Sequence, residues 1–128
     1  MRYLLDTHVR LWLLTGSPRL PSATVERLSQ ADHLALSAVC VWETVIKASA
    51  GRLELPRTVR ELVTVSHRDA AMTPLPLDAR HALAVRDLPD LHRDPFDRLL
   101  VAQALAEQLT LVTADAAVQA YDVPVLGV

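Results

Sequence analysis

Short apolar runs alternate with amphipathic stretches along the whole chain. Arg2-Tyr3-Leu4-Leu5 has the length of a buried strand and stops at Asp6; Val9, Leu11, Trp12 and Leu13 then predict a helical turn or two, ended by Gly16 and Pro18. Ser22 is placed to cap a helix through Gln30 that carries Val25 and Leu28 at helical spacing. A second strand is predicted at His33-Leu34-Ala35-Leu36. Ser37 follows as the cap of a helix whose Val39, Trp42 and Ile46 form one apolar stripe, with Glu43 beside it and Gly51 as its stop. A helix over 58–66 leads to a weak third strand at 71–73, closed by Pro74 and Pro76. Asp78 opens a helix that Pro89 terminates, a loop carries Asp90, His92 and Arg93, and 94–108 is the clearest helix of all. A fourth strand at 110–112, a short helix over 116–121 and a last strand over 123–126 complete the pattern.

Strands that alternate with helices in this way predict an α/β fold, a parallel sheet of about five strands with helices on both faces. That is a three-layer α/β/α sandwich, and 128 residues suit a single domain over 1–128.

Composition narrows the function classes. With 51% hydrophobic and 22% charged residues and a net charge of -2, the chain is an ordinary globular sequence and not a basic nucleic-acid coat, although a local basic rim is compatible with it. The one cysteine, Cys40, cannot form an internal disulfide and reads as a small buried hydrophobe, which fits a reducing cytoplasm. Asp6, His8 and Arg10 interrupt the first apolar run and no small-residue cleavage site follows, so the N-terminus reads as part of the fold and not as a signal peptide. No run approaches the ~18 apolar residues that a membrane span needs, so a soluble protein is expected.

Candidate chemistry lies in four acids, Asp6, Glu43, Asp97 and Asp115, each placed where an apolar element starts or stops. In open parallel sheets, ligands gather beyond the carboxyl ends of the strands where strand order reverses. Asp6 ends the first strand and Asp115 lies just past the fourth, so these two are expected to be neighbours. Glu43, in the helix after the second strand, and Asp97, in the first turn of the helix before the fourth, could lean over the same edge. Two carboxylates ~4 Å apart repel by roughly 4 kcal/mol at an effective dielectric of ~20, so such a group must share protons or bind a hard divalent ion.

Each acid also has a local explanation. Asp6 and Asp115 can be helix caps, and Glu43 can pair with Lys47 one turn on. Asp94-Pro95-Phe96-Asp97 has the order of cap, proline at the first helical position and an acid in the first turn. Asp94 is therefore assigned to the cap. Arg93, Arg98 and Lys47 are placed to meet phosphate beside the acids, and surface solvation is their alternative. His8 and His92 read as loop histidines, Trp12 and Trp42 as core packing.

The segments LLDTHV, SAVCVWETVIKASAGRLEL, HRDPFDRLLVAQAL and LTLVTAD together resemble the PIN domain, in particular the VapC-type toxins of bacterial toxin–antitoxin pairs. The resemblance spans essentially the whole chain, and its acids match Asp6, Glu43, Asp97 and Asp115. It implies an endoribonuclease dependent on magnesium or manganese, a cognate antitoxin as partner, and a cytoplasmic homodimer. Asp6 and Asp97 are expected to ligate the metal directly, with Glu43 and Asp115 acting through water or a second ion, so that a metal-activated water attacks the phosphodiester. Thr7, Ser37 and Thr113 match small hydroxyl positions near the acids and are candidates for substrate contact. Two features depart from the family pattern: Arg10 stands where an apolar residue is usual, and Ala106-Glu107-Gln108 lacks the usual glycine. A competing expectation is a catalytically silent module whose acids receive an arginine-bearing peptide. A phosphotransfer receiver is disfavoured, because no second acid adjoins Asp6 and the third strand ends without an aspartate.

Overall fold

Alternation within short apolar segments sends neighbouring side chains to opposite faces of a sheet, and here it builds two cores. The computed structural model describes residues 1–128. Its strands are β1 (Arg2–Leu5), β2 (His33–Ser37), β3 (Thr73–Leu75), β4 (Thr110–Thr113) and β5 (Val125–Gly127). Between them run α1 (Thr7–Thr15), α2 (Ser22–Ser29), α3 (Ala38–Ser49), α4 (Val59–Arg68), α5 (Ala79–Ala84), α6 (Pro95–Glu107) and α7 (Ala116–Gln119), with a 3-10 turn at Val85–Asp87. All neighbouring strands pair in parallel, in the order β3-β2-β1-β4-β5.

Tyr3, Leu5, Leu36 and Val112 face one side of the sheet and are buried with Val9, Leu20, Leu28 and Met72. Leu4, Ala35 and Leu111 face the other, against Val39 and Cys40 of α3, Leu100, Val101 and Ala104 of α6, and Val118. The expected three layers are present. The chain steps outward from β1 to β3 and then returns to β4 on the far side of β1, so strand order reverses between β1 and β4. Extending the register of Leu5 with Val112, and of Leu4 with Ala35, places Asp6 level with both Thr113 and Ser37.

Several local expectations change. Ser22 is the first residue of α2 and Pro21 stands at the cap position, with no side-chain cap there. The third strand lies at Thr73–Leu75 and not at 71–73, so Pro74 is inside it; this is tolerated because β3 is an edge strand with no neighbour on its outer side. The helix after Asp78 stops at Ala84 and tightens into the 3-10 turn, and the last strand is shifted to Val125–Gly127. Trp42 is 58% exposed and not core, because the stripe carrying Val39 and Cys40 turns it outward. Trp12 does pack, partly buried, against the Tyr3 side. Cys40 is buried as expected, and burial pushes its thiol up to about 12, which leaves it unreactive.

Both departures from the family pattern have physical consequences. Gln108 caps α6 in the left-handed region at φ 56, where a Cβ is strained. Gln108→Gly should stabilise the protein by about 1 kcal/mol in urea unfolding. Arg10 is 1% exposed; its Nη2 donates to Thr44 Oγ1 at 3.3 Å, while Nε and Nη1 have no partner. Burial holds its pKa below the ordinary value. Arg10→Met should raise unfolding free energy by about 1–3 kcal/mol, because an under-partnered buried cation is replaced by a chain of similar length. A loss of stability on that substitution would show that the guanidinium is satisfied in solution.

Candidate metal-binding active site

The parallel topology points several helix N-termini at the carboxyl edge of the sheet, and acids cap three of them. Asp6 Oδ1 accepts from Val9 N at 2.8 Å, Asp94 Oδ1 from Phe96 N at 2.8 Å, and Asp115 Oδ1 from Ala117 N at 2.9 Å. Capping consumes one oxygen of each. The second oxygen of Asp6 accepts the Thr113 hydroxyl, and that of Asp115 lies 3.1 Å from His92 Nε2. Glu43 divides its oxygens in the same way, Oε2 to Lys47 and Oε1 to the Thr7 hydroxyl, and is 3% exposed. The local roles expected of Asp6, Asp115 and Glu43 are therefore all present.

The three expected hydroxyls all lie at this edge, but they face protein. Thr7 donates to Glu43, and Thr113 donates to Asp6 while accepting from Asp115 N at 3.1 Å. Ser37 accepts from Val39 N and donates to Gln103, whose amide reaches Pro76 O at 3.4 Å. Ser37 and Thr113 are 0% exposed, so neither can touch a substrate in this conformation. Gln103, which the sequence did not single out, fastens α6 to the end of β2 and so sets the helix that carries Asp97. Arg98 donates to the carbonyls of Pro89 and Val85 and to Tyr121 Oη at 3.1–3.2 Å, holding the loop before α6. Arg93 is exposed on that loop.

Electrostatics show which acids are crowded. Burial, then the charges of Asp94 and Glu43, push Asp97 up to about 7. Burial also raises Asp6 above the ordinary value, outweighing its bonds from Thr113 and Val9, with Glu43 adding repulsion. Asp115 moves the other way: the backbone N–H of Ala117 and the His92 ring hold it low against its partial burial. Burial opposes the charge on Lys47, but Glu43, Asp94 and Asp97 together raise its pKa. Glu43 thus couples to Asp6 on one side and to Asp97 on the other.

The tightest group of ligand-type atoms is His92, Asp97 and Asp115, within 4.8 Å of one another. Asp6 and Glu43 stand outside that trio. His92, which opens the HRDPFDRLLVAQAL segment, is not among the site residues that the sequence predicts. An oxygen-rich donor set whose acids repel one another suits a hard divalent cation, and the residues present fit magnesium or manganese.

Fold and edge together define an α/β protein with a cluster of acids at a topological switch point. The chain belongs to the PIN domain family, whose model matches residues 3–124. Ribonuclease VapC22 of Mycobacterium tuberculosis (strain ATCC 25618 / H37Rv) is 32% identical over 115 residues, covering 88% of this chain and 85% of that protein. Among solved structures, the fold matches a chain of VapBC2 from Rickettsia felis bound to a promoter DNA fragment, at TM-score 0.74 and 16% identity, over 99% of this chain and 98% of that one. It also matches a chain of DNA-bound VapBC from Salmonella typhimurium, at TM-score 0.72 and 17% identity, over 99% and 98%. No helix is long and apolar enough to cross a membrane.

A pH dependence follows from Asp97. Its folded pKa of about 7 lies above the ordinary 3.8, so the folded state binds a proton that the unfolded chain has released, and stability falls as pH rises through that window. In chelator, urea unfolding should show a loss on the order of 2–4 kcal/mol between those limits, reduced in Asp97→Asn. A stability that rises over the same range would contradict the crowding of Asp97.

Proposed function

We propose that this chain is a metal-dependent endoribonuclease and the toxin of a toxin–antitoxin pair. The observation that carries the proposal is the acid edge itself: ligand-type oxygens of Asp97 and Asp115 lie within 4.8 Å of one another, and Asp6 caps α1 at the switch point of the sheet, where Thr7 bonds Glu43. Similarity to a protein named as a ribonuclease supports it. Asp6 and Asp97 would hold magnesium or manganese directly, with Glu43 and Asp115 completing the site through water or a second ion. When bound, such an ion lowers the pKa of a water and offsets charge on phosphoryl oxygens.

The protein's own residues supply the rest. Thr113 and Thr7 orient Asp6 and Glu43 by donating to one oxygen of each, while Ser37 and Gln103 fix the two helices that present Glu43 and Asp97. Lys47 offsets the acids from the side of Glu43. Arg93 is the exposed cation on the loop and the candidate for a phosphate contact, whereas Arg98 shapes the loop from beneath. An antitoxin is the proposed protein partner, supported by the VapBC complexes among the structural neighbours. An arginine side chain of such a partner would meet complementary charge at the acid edge.

Incubation with structured RNAs should give cleavage in magnesium and none in chelator. Asp97→Asn and Asp6→Asn should each lower the rate by more than about 100-fold. Cleavage that survives the chelator would contradict the metal mechanism. No cleavage of any RNA, together with binding of an arginine-bearing peptide, would favour the silent binding module.

A further inference from the structure

One imidazole lies between two acids of the edge, Asp97 and Asp115. His92 Nε2 lies 3.0 Å from Asp97 Oδ2 and 3.1 Å from Asp115 Oδ2. Its other ring nitrogen, Nδ1, accepts the backbone N–H of Asp94 at 3.3 Å. A ring nitrogen that accepts carries no proton, so the ring proton is on Nε2. An Nε2 that carries a proton has no lone pair for a cation. His92 therefore adds a third ligand-type atom to the trio without being able to serve as its ligand in this orientation.

The placement of the ring is built into the fold. The His92 backbone N–H donates to Tyr121 Oη at 3.0 Å, and the same oxygen accepts from Arg98 Nη1 at 3.2 Å. Arg98 in turn holds the carbonyls of Val85 and Pro89. The loop thus has its own attachments to α6 and to the segment after α7, independent of the acids.

We infer that His92 is a positioning residue that competes with the divalent cation for Asp97 and Asp115. Its Nε2–H donates to Asp115 Oδ2 and lies 3.0 Å from Asp97 Oδ2, so it fills the space between the two oxygens when no cation is present and must leave it when one enters. This rests on the metal-site reading proposed above. Magnesium and manganese take carboxylate oxygens at close range and in near-octahedral geometry, which a donor N–H lodged between the same two oxygens obstructs. The bridge sets the cation concentration at which the site fills, and it couples filling to the position of the loop that carries Arg93.

Isothermal titration of manganese chloride into the whole protein separates the possibilities. His92→Ala should bind manganese on the order of tenfold more tightly than wild type, the equivalent of one charge-assisted hydrogen bond removed from competition. His92→Gln, which keeps a side-chain N–H donor, should return toward wild-type affinity. Circular dichroism in chelator verifies that each variant is folded. In nitrogen-15 spectra of the wild-type imidazoles, His92 should show the Nε2–H tautomer both in chelator and at saturating magnesium. Weaker or unchanged manganese binding by His92→Ala, or a switch to the Nδ1–H tautomer on adding magnesium, would overturn the inference. If neither wild type nor His92→Ala takes up manganese, the cation reading of the edge fails, and this inference fails with it.

Discussion

Like-charge repulsion at the carboxyl edge of the sheet is the constraint to which the surrounding structure answers. Asp6, Glu43, the Asp94–Asp97 pair at the start of α6, and Asp115 come from four parts of the chain and lie toward the edge where β1 and β4 end. Three features offset the repulsion. Helix N-termini bring positive dipole ends and free N–H groups, which Asp6, Asp94 and Asp115 cap. Buried hydroxyls of Thr7 and Thr113 each donate to an acid. Lys47 and His92 bring donor groups to the two flanks. Burial chiefly, with the neighbouring acids adding to it, keeps the pKa of Asp97 and Asp6 raised.

The fold serves this edge through register. Strand pairing puts Asp6 level with Ser37 and Thr113, so one row across the sheet supplies an acid and the hydroxyls around it. Ser37 and Gln103 then tie β2 to α6, and the depth at which Asp97 sits depends on that tie. The apolar layers position the elements; the short polar contacts at their ends position the oxygens.

Much of this was legible in the residues because it rests on local rules. Apolar periodicity located each strand and major helix to within a few residues, and strand–helix alternation implied the parallel sheet and its reactive edge. The caps at Asp78 and Asp94 follow from residue type and spacing, and both are present. The local roles read for Asp6, Asp115 and Glu43 are all present, as two caps and a bond with Lys47. What was not legible depends on long-range geometry. Pro74 fits inside a strand only because that strand lies at the sheet edge. Trp42 is exposed because the buried face of α3 runs through Val39, Cys40, Glu43 and Thr44 and turns it outward. His92 joins the acids through a loop whose path is fixed by Arg98 and Tyr121, contacts that no spacing rule encodes.

Locating the cation tests the central claim most directly. Crystals grown with manganese and measured near its absorption edge should show anomalous density at the carboxyl edge of the sheet, bounded by Asp6, Glu43, Asp97 and Asp115, with His92 drawn away from Asp97 and Asp115. No anomalous density there at saturating manganese, or a site held by other residues, would contradict the account.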